Sequence, residues 1–126
     1  MRTILVIDDD LVLCRLIEQI LATNGFAVMT VNNGEEGLAA TREKRPDLVL
    51  CDINLGGMDG YEVLRRVRQD AATATTPVVL MSGHSAMAGF SLAMSLGADD
   101  FLAKPFSSGD LLATISNLIG SQHALH

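Results

Sequence analysis

The stretch LVLCDINLGGMDG, residues 48–60, leads from an apolar run straight into a glycine-rich loop. Its first four residues are all apolar, which is typical of a parallel strand that is covered on both faces. Asp52 follows where this predicted strand ends. A carboxylate at such a position can be a nucleophile, a metal ligand or a helix-capping acid, and the stretch itself leaves all three roles open.

Four further apolar runs resemble the one before Asp52, and segments with helical spacing separate them. The five predicted strands are Thr3 to Ile7, Ala27 to Val31, Leu48 to Cys51, Val78 to Met81 and Phe101 to Ala103. Parallel strands need crossover connections, and both faces of such a sheet must be covered. The alternation therefore predicts a single α/β domain, a doubly wound five-stranded parallel sheet with five helices.

Capping patterns mark the predicted helix ends. An N-capping residue is followed three positions later by an acid in three pairs, which are Asn33 with Glu36, Asp59 with Glu62, and Ser107 with Asp110. The first helix is expected to begin near Asp10 and to end at Asn24-Gly25, a C-cap signal.

Composition narrows the classes of function. The 126 residues carry a net charge of -6, which argues against nucleic acid as a direct partner of this domain. Cys14 and Cys51 show no metal-binding or redox spacing, so a reducing compartment fits best. The N-terminal apolar run is too short for a signal peptide or a membrane span. We therefore expect a soluble cytoplasmic protein that makes no membrane contact.

Polar residues gather at the predicted strand ends. They are Asp8, Asp9 and Asp10 after the first strand, Asp52 after the third, Ser82 and Gly83 after the fourth, and Lys104 and Pro105 after the fifth. Ligands of doubly wound sheets bind at the carboxyl ends of the strands. Clustered acids repel one another unless a cation joins them, and oxygen ligands suit a hard ion such as magnesium.

These motifs together resemble the response regulator receiver domain, the phosphoacceptor module of two-component signalling. The matching segments are ILVIDDD at 4–10, PDLVLCD at 46–52, MDG at 58–60, MSG at 81–83 and GADDFLAKPF at 97–106. The resemblance covers essentially the whole chain. It implies a flavodoxin-like strand order of 2-1-3-4-5, a receiver domain over residues 1–120 and a C-terminal tail over residues 121–126.

The resemblance also implies a phosphorylation site. Asp52 would accept a phosphoryl group from a histidine kinase or a histidine phosphotransfer protein. The chain would not be an enzyme, since it would catalyse only its own phosphorylation and dephosphorylation. Asp9, Asp52 and the backbone carbonyl of Asn54 would bind Mg²⁺ directly, with Mn²⁺ as a substitute, and Asp8 would act partly through water. Lys104 would pair with a phosphoryl oxygen.

Further expectations follow from the same resemblance. Ser82 would donate its hydroxyl to a phosphoryl oxygen, and Phe101 would be the switch aromatic that turns inward when the hydroxyl moves. The Lys104-Pro105 bond is expected to be cis. Asn54, Gly83 and His84 lie near the mouth of the site in similar proteins, and we hypothesise that they tune the lifetime of the phosphoryl group. Alternatively, His84 is a solvated loop residue that has no effect on this lifetime.

The charge pattern points to a signalling surface. The predicted fourth helix, residues 86–96, has no charged residue, and the last helix carries Asp110 but no Lys or Arg. Receivers usually signal through helix 4, strand 5 and helix 5, where apolar exposure suggests a protein contact. The implied partner is a downstream protein or a fused output domain. Asp99 and Asp100 lack basic partners in the last helix, which disfavours a homodimer held by ion pairs there, while a homodimer of another kind stays open.

Two other classes of function remain open at this point. An aspartate-nucleophile phosphohydrolase needs a general acid two residues after the nucleophile, and Asn54 occupies that position. A phosphorylation-independent interaction module would be expected to lack Asp9, Asp52 or Lys104, and all three are present.

Overall fold

The computed structural model describes residues 1–83 and 86–120, except for the side chains of residues 86–88. The strands are β1 (Thr3–Ile7), β2 (Ala27–Val31), β3 (Leu48–Asp52), β4 (Val78–Ser82) and β5 (Asp100–Ala103). The helices are α1 (Leu11–Thr23), α2 (Gly34–Lys44), α3 (Gly60–Gln69), α4 (Ala86–Ser95) and α5 (Ser108–Ile119).

The five strands form one parallel sheet in the order β2-β1-β3-β4-β5. The predicted fold class and strand order are therefore confirmed. Strand order reverses between β1 and β3, so the carboxyl ends of these two strands border the crevice where ligands bind in such sheets. The structure extends β3 to Asp52 and β4 to Ser82, which makes these two polar residues the last members of buried strands.

Two separate apolar cores cover the two faces of the sheet. On one face, α1 and α5 pack on alternate strand residues such as Val6, Leu50 and Met81. On the other face, α3 and α4 pack on the intervening residues such as Cys51 and Leu80. Successive side chains of a strand point to opposite faces, and this alternation explains why the apolar runs are continuous.

The helix ends follow the capping patterns. Asp10 caps α1 by accepting hydrogen bonds from two backbone N–H groups of the first turn, and Asn33, Asp59 and Ser107 cap α2, α3 and α5. Asn24 ends α1 and is followed by Gly25 at a positive φ of 90°. The capped helix starts define the loops that follow the strands, and these loops carry the polar residues.

None of the helices in residues 1–83 and 86–120 combines the length and the apolar character that a membrane crossing requires. The predicted tail, residues 121–126, lies outside the described residues. The boundary at residue 120 therefore stays a prediction.

Candidate functional site

The carboxyl end of β1 holds Asp8 in a fixed orientation. The Asp8 side chain is fully buried, and its Oδ1 accepts a hydrogen bond of 2.9 Å from the backbone N–H of Asp10. Its backbone N–H donates to the carbonyl of Val31 on β2. Asp9 is exposed beside it. Capping of α1 by Asp10 thus turns the chain so that one acid points inward and the next remains open to solvent.

Asp52 lies at the neighbouring strand end and is 5% exposed. Its Oδ1 accepts a hydrogen bond of 3.3 Å from the backbone N–H of Asn54, whose side chain is exposed. Cys51 is buried on the opposite face of the sheet, as its place in the strand predicts, and its thiol is free. Asp52 therefore has one oxygen held by the loop and the other turned toward the rest of the cluster.

Lys104 joins the two buried acids. Its ammonium nitrogen lies 3.1 Å from Asp8 Oδ2 and 3.4 Å from Asp52 Oδ2. Its backbone N–H donates to the carbonyl of Ser82, which anchors the end of β5 on β4, and the peptide bond to Pro105 is cis. A residue 52 positions away from Asp52 in the chain thus supplies the cation that two desolvated carboxylates require.

Burial and charge act on the pKa of Asp52 in opposite directions. Desolvation raises this pKa and the charge of Asp8 raises it further, while Lys104 and the N–H of Asn54 lower it by less. Burial alone would lower the pKa of Lys104, but its hydrogen bonds and ion pairs with Asp8 and Asp52 outweigh burial and raise it. The site thus holds a firmly charged ammonium and a carboxylate whose ionisation is opposed.

Ser82 and Phe101 lie on the same face of the sheet. Ser82 is 5% exposed and pairs in register with Ala103, while Leu80 pairs with Phe101. Phe101 is half-buried and packs against the core on the α4 side. Gly83 follows Ser82 and is exposed, and the predicted tuning residue His84 lies outside the described residues.

The acidic cluster has the chemistry of a divalent cation site. Carboxylate oxygens of Asp8, Asp9 and Asp52 all lie within 4.8 Å of one another. A magnesium ion with oxygen ligands at about 2.1 Å in octahedral geometry keeps those ligands about 3 to 4 Å apart. The three side chains therefore fit a shared hard ion after small movements, and their oxygen-only donor set favours magnesium over soft metals.

Gly60 is a residue of the site that the sequence interpretation missed. A β-carbon at this position would lie 2.4 Å from the carbonyl oxygen of Asp52 and 2.7 Å from Cα of Ile53. The backbone N–H of Gly60 donates to the carbonyl of Ile53. The first residue of α3 is thus in direct contact with the peptide of Asp52. The available signal was a glycine directly after the capping residue Asp59.

Asp99 has a partner that the sequence did not suggest. Its carboxylate pairs with Arg68 of α3 at 2.8 Å and accepts a hydrogen bond from the backbone N–H of Val78. Arg68 also donates to the carbonyls of Ala74, Thr76 and Gly97. Asp99 is therefore engaged within the chain, which adds to the case against its use in an intermolecular ion pair.

The α4 surface exposes large apolar side chains as well as lacking charge. Phe90, Leu92 and Met94 are 45%, 46% and 39% exposed. On α5, Leu112 is partly exposed.

A second apolar region lies beside Lys104, where Leu16 of α1 is 52% exposed and lines a cavity of about 760 Å³ together with Pro105 and Phe106.

Sequence comparisons identify relatives across nearly the whole chain. A family model described as Response regulator receiver domain matches residues 4–116. The DNA-binding response regulator MtrA of Mycobacterium tuberculosis (strain ATCC 25618 / H37Rv) is 38% identical over 114 residues, which make up 90% of this chain and 49% of MtrA. The chain thus spans about half the length of the curated relatives that it matches first.

Solved structures share the fold. A putative response regulator from Chloroflexus aurantiacus J-10-fl superimposes with a TM-score of 0.90 at 33% identity and covers 94% of this chain and 97% of its own. The receiver domain of sensor histidine kinase PA1611 from Pseudomonas aeruginosa PAO1 superimposes with a TM-score of 0.87 at 28% identity, covering 95% and 98%. That receiver domain has a magnesium ion coordinated in its active site cleft.

Proposed function

The chain belongs to the response regulator receiver domain family of two-component signal transduction, and from this membership we propose that Asp52 is its phosphoacceptor. The observation that carries the proposal is the geometry around this carboxylate. Asp52 lies at the end of a buried strand, within 4.8 Å of two further acids and 3.4 Å from the ammonium of Lys104. A nucleophilic carboxylate, acids for a cation and a fixed positive charge are the groups that phosphoryl transfer to an aspartate requires.

Asp8, Asp9 and Asp52 would hold a magnesium ion, with the backbone carbonyl of Asn54 as a further ligand. The fit of their oxygens to one hard ion supports this assignment, as does the magnesium ion coordinated in the PA1611 receiver domain. When bound, the ion offsets the negative charge of the phosphoryl oxygens. We extend the same site to Mn²⁺, which also takes oxygen ligands.

The residues of the chain supply the remaining parts of the transfer. A carboxylate oxygen of Asp52 forms a bond to phosphorus while the phosphorus–nitrogen bond to the donor histidine breaks, and the imidazole leaves with the electron pair. The ammonium of Lys104 lies 3.4 Å from Oδ2 of Asp52 and would pair with a phosphoryl oxygen of the product. Ser82 at the end of β4 would donate its hydroxyl to another oxygen, and Phe101 would then move on the same sheet face.

The partners follow from these roles. The phosphoryl donor would be a histidine kinase or a histidine phosphotransfer protein, and hydrolysis would return Asp52 to its carboxylate. The exposed apolar side chains of α4, with β5 and α5, would contact a downstream protein or an output domain. MtrA is a DNA-binding response regulator about twice as long as this chain. Since this chain carries 15 acidic and 9 basic residues, we propose that residues 1–120 themselves contact protein rather than DNA.

Incubation with acetyl phosphate and Mg²⁺, followed by intact mass measurement, tests the proposal. We expect one phosphoryl adduct on the wild-type chain and none on Asp52→Asn. Continuous release of phosphate without an adduct would instead identify a phosphohydrolase. An unmodified chain without turnover, under conditions where the fold is intact by circular dichroism, would identify a phosphorylation-independent interaction module.

A further inference from the structure

The aromatic ring of Phe101 lies against a gap in helix α4. A β-carbon built on Gly89 would be 3.1 Å from both Cε2 and Cζ of that ring, and 3.5 Å from the hydroxyl oxygen of Tyr61. The neighbouring Phe90 meets the ring edge-on, with centroids 6.3 Å apart and an angle of 85° between the planes. We call the surface formed by Gly89 and Phe90 the ring seat.

Gly89 is an unfavourable residue for the interior of a helix. Glycine is the poorest helix former after proline, because it loses the most backbone freedom and adds no side-chain packing. The rest of α4, AMAGFSLAMS at 86–95, consists of alanine, serine and larger apolar residues. The contact distances give a physical reason for the exception, since a methyl group here would lie 3.1 Å from two ring carbons of Phe101, closer than an ordinary van der Waals contact.

The sheet register shows which side chains neighbour the ring of Phe101 on its face of the sheet. Leu80 pairs with Phe101 and Ser82 pairs with Ala103, so Phe101 and Ser82 point to the same side of the sheet. They are separated along the strands by two residues, a rise of about 6.6 Å. Two side chains lie between them on this face, the buried Leu80 on β4 and the exposed methyl group of Ala103 on β5. A ring that leaves the seat can therefore move over Ala103 toward Ser82 without displacing a large side chain.

We propose that Gly89 is a positioning residue that sets the balance between these two ring positions. The ring seat stabilises Phe101 against α4, and phosphorylation of Asp52 draws Ser82, and with it the ring, away from the seat. This inference rests on the proposed phosphoacceptor function. Because Phe90 is 45% exposed, departure of the ring also alters a surface side chain of α4, where a partner would sense it.

Binding of beryllium fluoride in the presence of Mg²⁺, as a phosphoryl mimic, tests the inference through Gly89→Ala. The added methyl group disfavours the seated ring, so the dissociation constant should fall by about three- to tenfold relative to wild type. Ser91→Ala is the matched control, because Ser91 is exposed on the same helix and this change raises helix propensity without altering Gly89. Its dissociation constant should equal that of wild type.

A double-mutant cycle shows whether the effect passes through the ring. In a Phe101→Leu background the seat is vacated, so Gly89→Ala should leave the dissociation constant unchanged. An equal decrease with and without Phe101 would overturn the inference, as would an unchanged or a higher dissociation constant for Gly89→Ala alone.

Nuclear Overhauser contacts in the wild-type chain provide a test that needs no variant. Contacts between the Phe101 ring protons and the Gly89 α-protons should be present without beryllium fluoride and lost on saturation with it. Contacts that persist at saturation would refute the ring seat while leaving the phosphoacceptor function intact. A wild-type chain that does not bind beryllium fluoride would refute the phosphoacceptor function and, with it, the role of the seat.

Discussion

Replacement of Asp52 by asparagine should make the protein more stable at neutral pH in the absence of divalent cations. The reason lies in the balance of charges at this side chain. With an effective dielectric constant of about 20, Lys104 at 3.4 Å attracts Asp52 by about 5 kcal/mol, and the buried Asp8, within 4.8 Å, repels it by at least about 3.5 kcal/mol. The remaining attraction of at most about 1.5 kcal/mol is smaller than the several kcal/mol that burial of a carboxylate costs.

The raised pKa of Asp52 points in the same direction. The folded protein holds this proton more tightly than the unfolded chain, whose pKa is near the ordinary value of 3.8, so ionisation of Asp52 destabilises the fold. We therefore expect Asp52→Asn to raise the free energy of unfolding by about 1–2 kcal/mol at pH 7. The gain should shrink as the pH falls toward 4, because wild-type Asp52 then becomes protonated.

Urea unfolding of both chains in chelator, repeated across pH 4 to 7, measures this effect. Asp9→Asn is the matched control, since Asp9 belongs to the same cluster but is exposed and should yield a smaller gain. Added Mg²⁺ should stabilise wild type and reduce the difference. An Asp52→Asn chain that is no more stable than wild type at pH 7, or whose advantage grows as the pH falls, would show that the ionised Asp52 does not destabilise the fold.

Two further substitutions test contacts that position the site. Gly60→Ala should cost at least about 2 kcal/mol and slow phosphorylation of Asp52, because its β-carbon meets a backbone oxygen at 2.4 Å, whereas Gly56→Ala, with nothing within 4 Å, should cost under about 0.5 kcal/mol by urea unfolding. Arg68→Ala should cost about 2–3 kcal/mol, since it removes hydrogen bonds to three carbonyls and a carboxylate. Loss of the exposed Arg65, whose ion pair with Glu62 is screened by solvent, should cost less than loss of Arg68. Equal losses of unfolding free energy for Gly60→Ala and Gly56→Ala, or for the losses of Arg68 and Arg65, would contradict the contacts of Gly60 and Arg68.

Local patterns in the sequence were sufficient to predict the fold class, whereas the strand order was predicted from the resemblance to receiver domains. The apolar runs identify buried parallel strands because both faces of the sheet are covered, and the capping pairs locate the helix starts to within a residue. The strands β3, β4 and β5 are each one residue longer than predicted, since Asp52, Ser82 and Asp100 take part in the backbone pairing although their side chains are polar. Backbone hydrogen bonding does not depend on side-chain polarity. A pattern of apolar residues therefore cannot show that a strand continues through a polar residue.

The composition of the site was predictable, but its contacts were not. The carboxyl ends of parallel strands lie at one edge of the sheet, so Asp8, Asp52 and Lys104 come together there whichever side-chain contacts they make. That Lys104 contacts both acids, and that Asp99 pairs with Arg68, depends on side-chain distances between residues far apart in sequence. The close approach of Gly60 to the Asp52 carbonyl is likewise a tertiary distance. Spacing along the chain carries no information on such distances.

Identification of the phosphorylated residue is a direct test of the phosphoacceptor role of Asp52. An aspartyl phosphate is reduced by borohydride to homoserine, whereas an unmodified carboxylate is not, so peptide mass spectrometry after treatment with acetyl phosphate and Mg²⁺ locates the modified position. We expect homoserine at residue 52 alone, and none when Mg²⁺ is withheld. Homoserine at residue 8 or 9, or undiminished modification of the Asp52→Asn chain, would contradict the assignment of Asp52 as the phosphoacceptor.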